Sequence, residues 1–255
     1  HGSGITTSSD YAFLTCDSGY LVFYASDLVN VGAGDVVSAI DQVDLELTPA
    51  FMNIENDTLY VGTFHLLPEY EAPGHHHLIT PDGSENAGMM LAYSADEDED
   101  AGARYGFASQ ADRAYSLPDK VQGMSVLPND DIVLSTSYGF NTSHLITYRV
   151  LGQDELAVSS GSADEATASP SANDQATSAA TSPYTFFVDG RSVPLFFLDS
   201  SNLVSDIEAP PMTEGIEFHD GSIWVSEESA SNKYLFGKLY GAGDVFRLPV
   251  ACFVG

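Results

Sequence analysis

Glu214 is the acid best placed by the sequence to do chemistry. It precedes the glycine of a repeated strand–turn–strand unit, at a place where the other copies carry Tyr11, Pro49 and Gln122. A carboxylate in such a crowded position is costly unless it is paired, hydrated or bound to a cation. Pairing is scarce, because 37 acidic residues face only 8 Lys and Arg. Calcium takes roughly six to eight oxygen ligands, carboxylates and carbonyls alike. Glu214, Gln122, Thr63, Thr136 and Glu227 supply several if they converge at one channel mouth. The alternative is a Glu214 that hydrogen-bonds nearby backbone beside channel water.

His75, His76 and His77 are adjacent. Neutral imidazole is the common ligand of zinc, copper and nickel, but neighbouring histidines on a loop seldom turn toward one ion. Pro73-Gly74 ahead of them marks a turn, so an exposed loop tip is expected. The run from Asp96 to Asp100 lacks the glycine and distant Glu of a calcium-binding EF-hand loop and reads as a solvated turn. No nucleophile elbow and no phosphate-cradling glycine loop occurs. Asn56-Asp-Thr58 and Asn141-Thr-Ser143 are glycosylation sequons, meaningful only in a eukaryotic secretory route. Trp224 sits in a strand pattern and is expected in a core.

The elements that must position these residues are strands. Helix periodicity is almost absent. Apolar runs rich in Val, Ile, Tyr, Phe and Thr are bounded by Gly, Pro, Asn and Asp, as in Tyr20 to Tyr24, Leu59 to Phe64, Ile132 to Ser137 and Ile223 to Ser226. Hairpins opening at Tyr11, Pro49, Gln122 and Glu214 repeat one pattern: a small residue (Ala12, Ala50, Gly123, Gly215), an alternating strand, a polar turn, a second apolar strand. This predicts an all-β fold, a β-propeller of four clear blades over residues 1–255, each hairpin giving the two innermost strands of a blade. Either long interval between repeats has room for a fifth blade, and a β-sandwich is the alternative. Residues 159–182, rich in Ser, Ala, Thr and Asp, read as a mobile surface insertion.

The stretch Pro210-Pro-Met-Thr-Glu-Gly-Ile-Glu-Phe-His-Asp-Gly-Ser-Ile-Trp-Val-Ser-Glu-Glu resembles a blade of phytase-like and esterase-like β-propellers. It is also similar to the opening Glu-Gly strand of SMP-30-like (gluconolactonase) propellers. In those families an inner-strand acid helps hold a divalent cation at the channel. The resemblance implies that role for Glu214, and less closely for Glu227; calcium is the candidate ion. Val121-Gln-Gly-Met, Leu134-Ser-Thr-Ser-Tyr-Gly and Glu227-Glu-Ser-Ala-Ser-Asn-Lys-Tyr resemble uncharacterised secreted propeller proteins of actinobacteria, over most of residues 43–249. That likeness implies a secreted or cell-surface location.

Composition narrows the partners. A formal net charge of −29 repels nucleic acid and anionic membranes, and no apolar run is long enough to span a bilayer. Residues 1–10 are small and polar, carry no signal-peptide pattern and read as a trimmed edge. Cys16 and Cys252 are the only cysteines; one disulfide and two free thiols are both open. The leading expectation is an extracellular binding or scaffold domain for a ligand or protein yet to be identified, with Glu214, Glu227 and Gln122 at its channel. A divalent-metal-dependent hydrolase of lactonase, esterase or phytase type is the second. A surface display module with 159–182 as spacer is the third. A hydrolase needs an ion held by three or more side chains; a binding module needs an apolar or aromatic patch at one mouth.

Overall fold

A computed structural model describes residues 3–98, 100, 102–150, 182–228 and 245–254. Four sheets stand in a ring as a four-bladed β-propeller, 51% strand and 6% helix. The first blade is β1 (Ile5–Thr7), β2 (Tyr11–Cys16), β3 (Gly19–Tyr24) and β4 (Asp41–Asp44), in that order from the axis outward. The second holds β5 (Phe51–Glu55) and β6 (Thr58–Gly62). A small hairpin, β7 (Leu78–Ile79) with β8 (Glu85–Asn86), precedes its next strands, β9 (Gly88–Ser94) and β10 (Arg113–Leu117). The third opens with β11 (Val121–Val126), β12 (Ile132–Thr136) and β13 (Ser143–Tyr148). The chain then gives the hairpin β14 (Tyr184–Val188) and β15 (Arg191–Phe197) to the second blade, where β15 lies parallel to β10. It returns as β16 (Leu203–Ala209), the outer strand of the third blade. The fourth blade is β17 (Thr213–His219), β18 (Ser222–Glu227) and β19 (Phe246–Pro249). Among the described residues neither long interval holds a fifth blade: the strands in both extend the second and third. The low-complexity insertion, apart from Ser182, lies outside the described residues.

Local chemistry fixes the hairpins. Asn56-Asp57 between β5 and β6, Asp189-Gly190 between β14 and β15, and Asp220-Gly221 between β17 and β18 all have positive φ. Such two-residue turns match the twist of the strands they join. Strand alternation then packs blade on blade. In β6, Leu59 and Val61 face the first blade while Tyr60 faces the third; in β9, Met89, Leu91 and Tyr93 alternate with Met90 and Ala92 in the same way. A further apolar layer, with Val133, Leu145, Ile216, Ile223, Val225 and Phe253, joins the third and fourth blades. Among the described residues no apolar cluster joins the fourth blade to the first.

The first repeat needs correction. Its hairpin β2–β3 supplies the second and third strands of its blade, and the innermost place belongs to the three-residue β1. Ala12 pairs with Thr7 and is core, away from the axis. Gly4 takes the axial place instead: a Cβ there would lie 2.8 Å from the Phe51 Cα and the Met52 nitrogen. So the residue matching Glu214 in the first blade is Ser3, not Tyr11. The axis is crowded elsewhere too, since a Cβ on Gly123 would meet the Glu214 carbonyl at 2.8 Å and the Gly215 Cα at 3.1 Å. Polar side chains tie the inner strands together. Asn53 donates to the Met124 carbonyl at 2.9 Å. Ser125 donates to Glu55 at 2.7 Å and accepts from the Phe218 amide at 2.8 Å.

The disulfide alternative is not the arrangement found. Cys16, half-buried at the end of β2, and Cys252, exposed after β19, are both free thiols.

Candidate functional site

Each innermost strand begins at the same end of the ring, and two of them begin with a bulge. Val121 pairs with Thr136 and Gly123 with Ser135, leaving Gln122 as the extra residue. Thr213 pairs with Glu227 and Ile216 with Val225, which leaves Glu214 and Gly215 against Ser226. Bulges re-aim side chains and recur beside functional sites. Here the following glycine lets the strands close on the axis while Gln122 and Glu214 are carried to its mouth. Ser135 locks the arrangement by donating to the Glu214 carbonyl at 2.5 Å.

The mouth opens into a cavity of about 530 Å³. Ser3, Gly4 and Ile5 form its first-blade wall, Phe51 to Asn53 and Gln122 to Met124 its floor, and the fourth blade its far side. Glu214, Glu227 and Gln122 all line it; Thr63 and Thr136 do not. Thr63 is instead buried, accepting from the Met89 amide at 2.9 Å, and Thr136 pairs with Val121 and His144. Burial, reinforced by the negative charge of Glu228, pushes the Glu214 carboxyl up to about 8. It therefore carries its proton at neutral pH.

Across the fourth blade runs a row the sequence did not announce. Glu217 pairs with Trp224 and Trp224 with Arg247. Trp224 is 37% exposed, lines the cavity and donates its indole N–H to the His219 carbonyl at 3.2 Å. It is thus a wall of the cleft and not blade core, because the apolar side of this blade, with Ile223 and Val225, is turned to the third blade. The Arg247 guanidinium lies 5.6 Å from the Trp224 ring centre, within cation–π range. The signal available was strand alternation: Trp224 stands between Ile223 and Val225 and so must face the other way.

The histidine run diverges. Gly74–His76 forms a 3-10 turn in which His75 is exposed and His76 is buried. This corrects the expectation of an exposed tip: His76 packs beside Phe186, ring centres 6.0 Å apart. Burial and the neighbouring histidines pull it down to about 4. His77 turns to Glu85 at 2.6 Å, which raises it, and stands 5.3 Å from the ring of His65. His65, buried and held by Asp119 at 2.8 Å, had no sequence signal of its own. Among the described residues no group of three or more His, Cys, Asp or Glu is arranged to hold a metal ion. In the acidic run, Asp96 and Asp98 accept the Asp98 and Asp100 amides, the pattern of a turn.

A second surface lies at the same end of the ring. Phe64 follows β6 and Tyr138 follows β12, with ring centres 6.4 Å apart; Tyr70 packs edge-on to Phe64 at 5.3 Å. Leu67, Tyr70, Tyr138 and Phe140 are exposed, adding apolar and aromatic side chains to this surface. No helix among the described residues is long and apolar enough to cross a membrane. No protein-family model and no curated protein sequence matches the chain.

Proposed function

We propose that this propeller is an extracytoplasmic binding domain whose ligand enters the cleft between the first and fourth blades. One observation carries the reading: a cavity of about 530 Å³, walled by both apolar and acidic side chains, opens where the innermost strands of all four blades meet. That volume lies within the usual range for small-ligand sites. The exposed aromatic patch at the same end is what a binding module needs. The propeller fold is consistent with such a role, and extracytoplasmic placement follows from the resemblance to secreted propellers.

The metal-dependent hydrolase finds less support in the donor set. The places equivalent to Glu214 in the other repeats hold Ser3, Pro49 and Gln122, so the inner-strand acid that the resemblance implies is not repeated in them. Glu214 must also lose a proton before it serves calcium. The residues present do not fit that cofactor.

The test is a screen of amines, sugars, amino acids and nucleosides by amide NMR on the full chain. Binders should shift the amides of Gly4, Gly123 and Gly215 without being converted. Plugging the cleft with Ser226→Trp should abolish the shifts. Ligands that map elsewhere on the ring, or that are turned over, would overturn the reading.

A further inference from the structure

Resting on that reading of the cleft, we propose that its ligand is an organic cation: an ammonium or guanidinium on a partly apolar body, of the kind a basic side chain presents. Among the described residues, the lining holds four carboxyl groups, Glu214, Glu217, Glu227 and Glu228, and no Lys, Arg or His. Between them stand Ile5, Phe51, Met124, Trp224 and Val245. A divalent metal needs many oxygens converging on one point, which the described residues of this wall do not offer. An organic cation needs less: one or two carboxylates for its charge and an apolar or aromatic face for its body. The fourth blade already displays that chemistry, since its own Arg247 seats a guanidinium over Trp224, in register with Glu217 on the neighbouring strand. A net charge of −29 draws cations toward the mouth.

The same geometry sets the pH dependence. Glu214 feels the negative charge of Glu228 just beyond β18; Glu217 on its own strand and Glu227 on β18 line the same cleft, β11 presents the uncharged Gln122, and Ser3 and Asn53 also line it. No cation among these lining residues neutralises Glu214, so its proton and a bound cation compete for one site. Arginine stays charged throughout the accessible range, and a change of its affinity with pH reports on the protein.

The experiment titrates the full chain with N-acetyl-arginine amide, with its neutral isostere N-acetyl-citrulline amide, with a short Arg-containing peptide and with calcium, at pH 6, 7 and 9. Heats and the amides of Gly4, Gly123 and Gly215 are followed. The arginine amide should bind at least about tenfold more tightly than the citrulline amide, and several-fold more tightly at pH 9 than at pH 6. Glu214→Gln should flatten that pH trend. Glu217→Gln and Trp224→Leu should weaken binding at every pH with the fold intact by circular dichroism. A tighter peptide than amide points to a protein source of the cation; equal affinities point to a free amine. Equal binding of citrulline and arginine amides would overturn the cation while leaving the cleft as the binding site. Calcium shifting these amides alone would overturn it in favour of a metal. If no probe shifts them, the cation falls; if the wider screen is also silent, so does the cleft.

Discussion

Burial moves two side chains in opposite chemical directions, and each leaves a mark on stability. Glu214 is raised from an ordinary 4.5 to about 8, chiefly by loss of water. Between those values the folded chain keeps a proton that the unfolded chain releases, so stability falls as pH rises through the window. Glu214→Gln removes that loss. The variant should match the parent near pH 4 and exceed it by roughly 1–3 kcal/mol at pH 9, the full shift being discounted for partial hydration; urea unfolding at both pH values checks this. His76 goes the other way, from 6.5 to about 4, again chiefly by burial. Here the unfolded chain binds the extra proton, and stability present above pH 6.5 is lost as pH falls toward 4. His76→Gln should show a smaller drop in melting temperature across that interval than the parent, while His75→Ala, which removes only a lesser contribution to the shift, should change the drop less than His76→Gln does.

At the level of elements, the two bulged strand openings set the cleft, and their glycines are the sensitive points. Gly123→Ala places a methyl group 2.8 Å from the Glu214 carbonyl, a backbone atom that cannot simply rotate away. The substitution should cost roughly 1–3 kcal/mol by overpacking and displace Glu214, measurable as lower stability and a shifted Glu214 titration by NMR. The glycine-opened hairpins were legible because they repeat: Gln122-Gly123 and Glu214-Gly215 share one pattern in sequence and one bulge in space. The first blade was misread for a definite reason. A strand of three residues carries almost no periodicity, whereas Tyr11 to Tyr24 is a strong hairpin that copies the pattern one place too far from the axis. Of the residues lining the cleft, Glu214, Glu227 and Gln122 were legible, each near the end of a recognisable strand. Glu217 and Arg247 were not, because their link to Trp224 depends on cross-strand register, and register with β19 spans a long gap in the chain. Nor was the bond between His65 and Asp119, which joins residues far apart in sequence.

For the whole molecule, closure depends on packing and not on a covalent clasp. With Cys16 and Cys252 free, a reductant should leave the melting temperature unchanged, and a maleimide should label the exposed Cys252 well before Cys16; a reductant-dependent melt would show a clasp after all. Among the described residues, apolar layers join the first blade to the second, the second to the third and the third to the fourth, and none joins the fourth to the first, where the cleft lies. One feature of the topology runs across the joined blades. The hairpin β14–β15 leaves the third blade after β13, finishes the second blade, and returns as β16 to finish the third. During synthesis, therefore, the second blade stands incomplete until residue 197 has emerged, long after its own β10 was made, and the third is completed only after it. Neither can reach its final form alone. The two should protect their amides as one cooperative unit in hydrogen exchange, with β9 and β12 opening together, while the first and fourth blades, whose described strands follow one another in sequence, exchange on their own schedules.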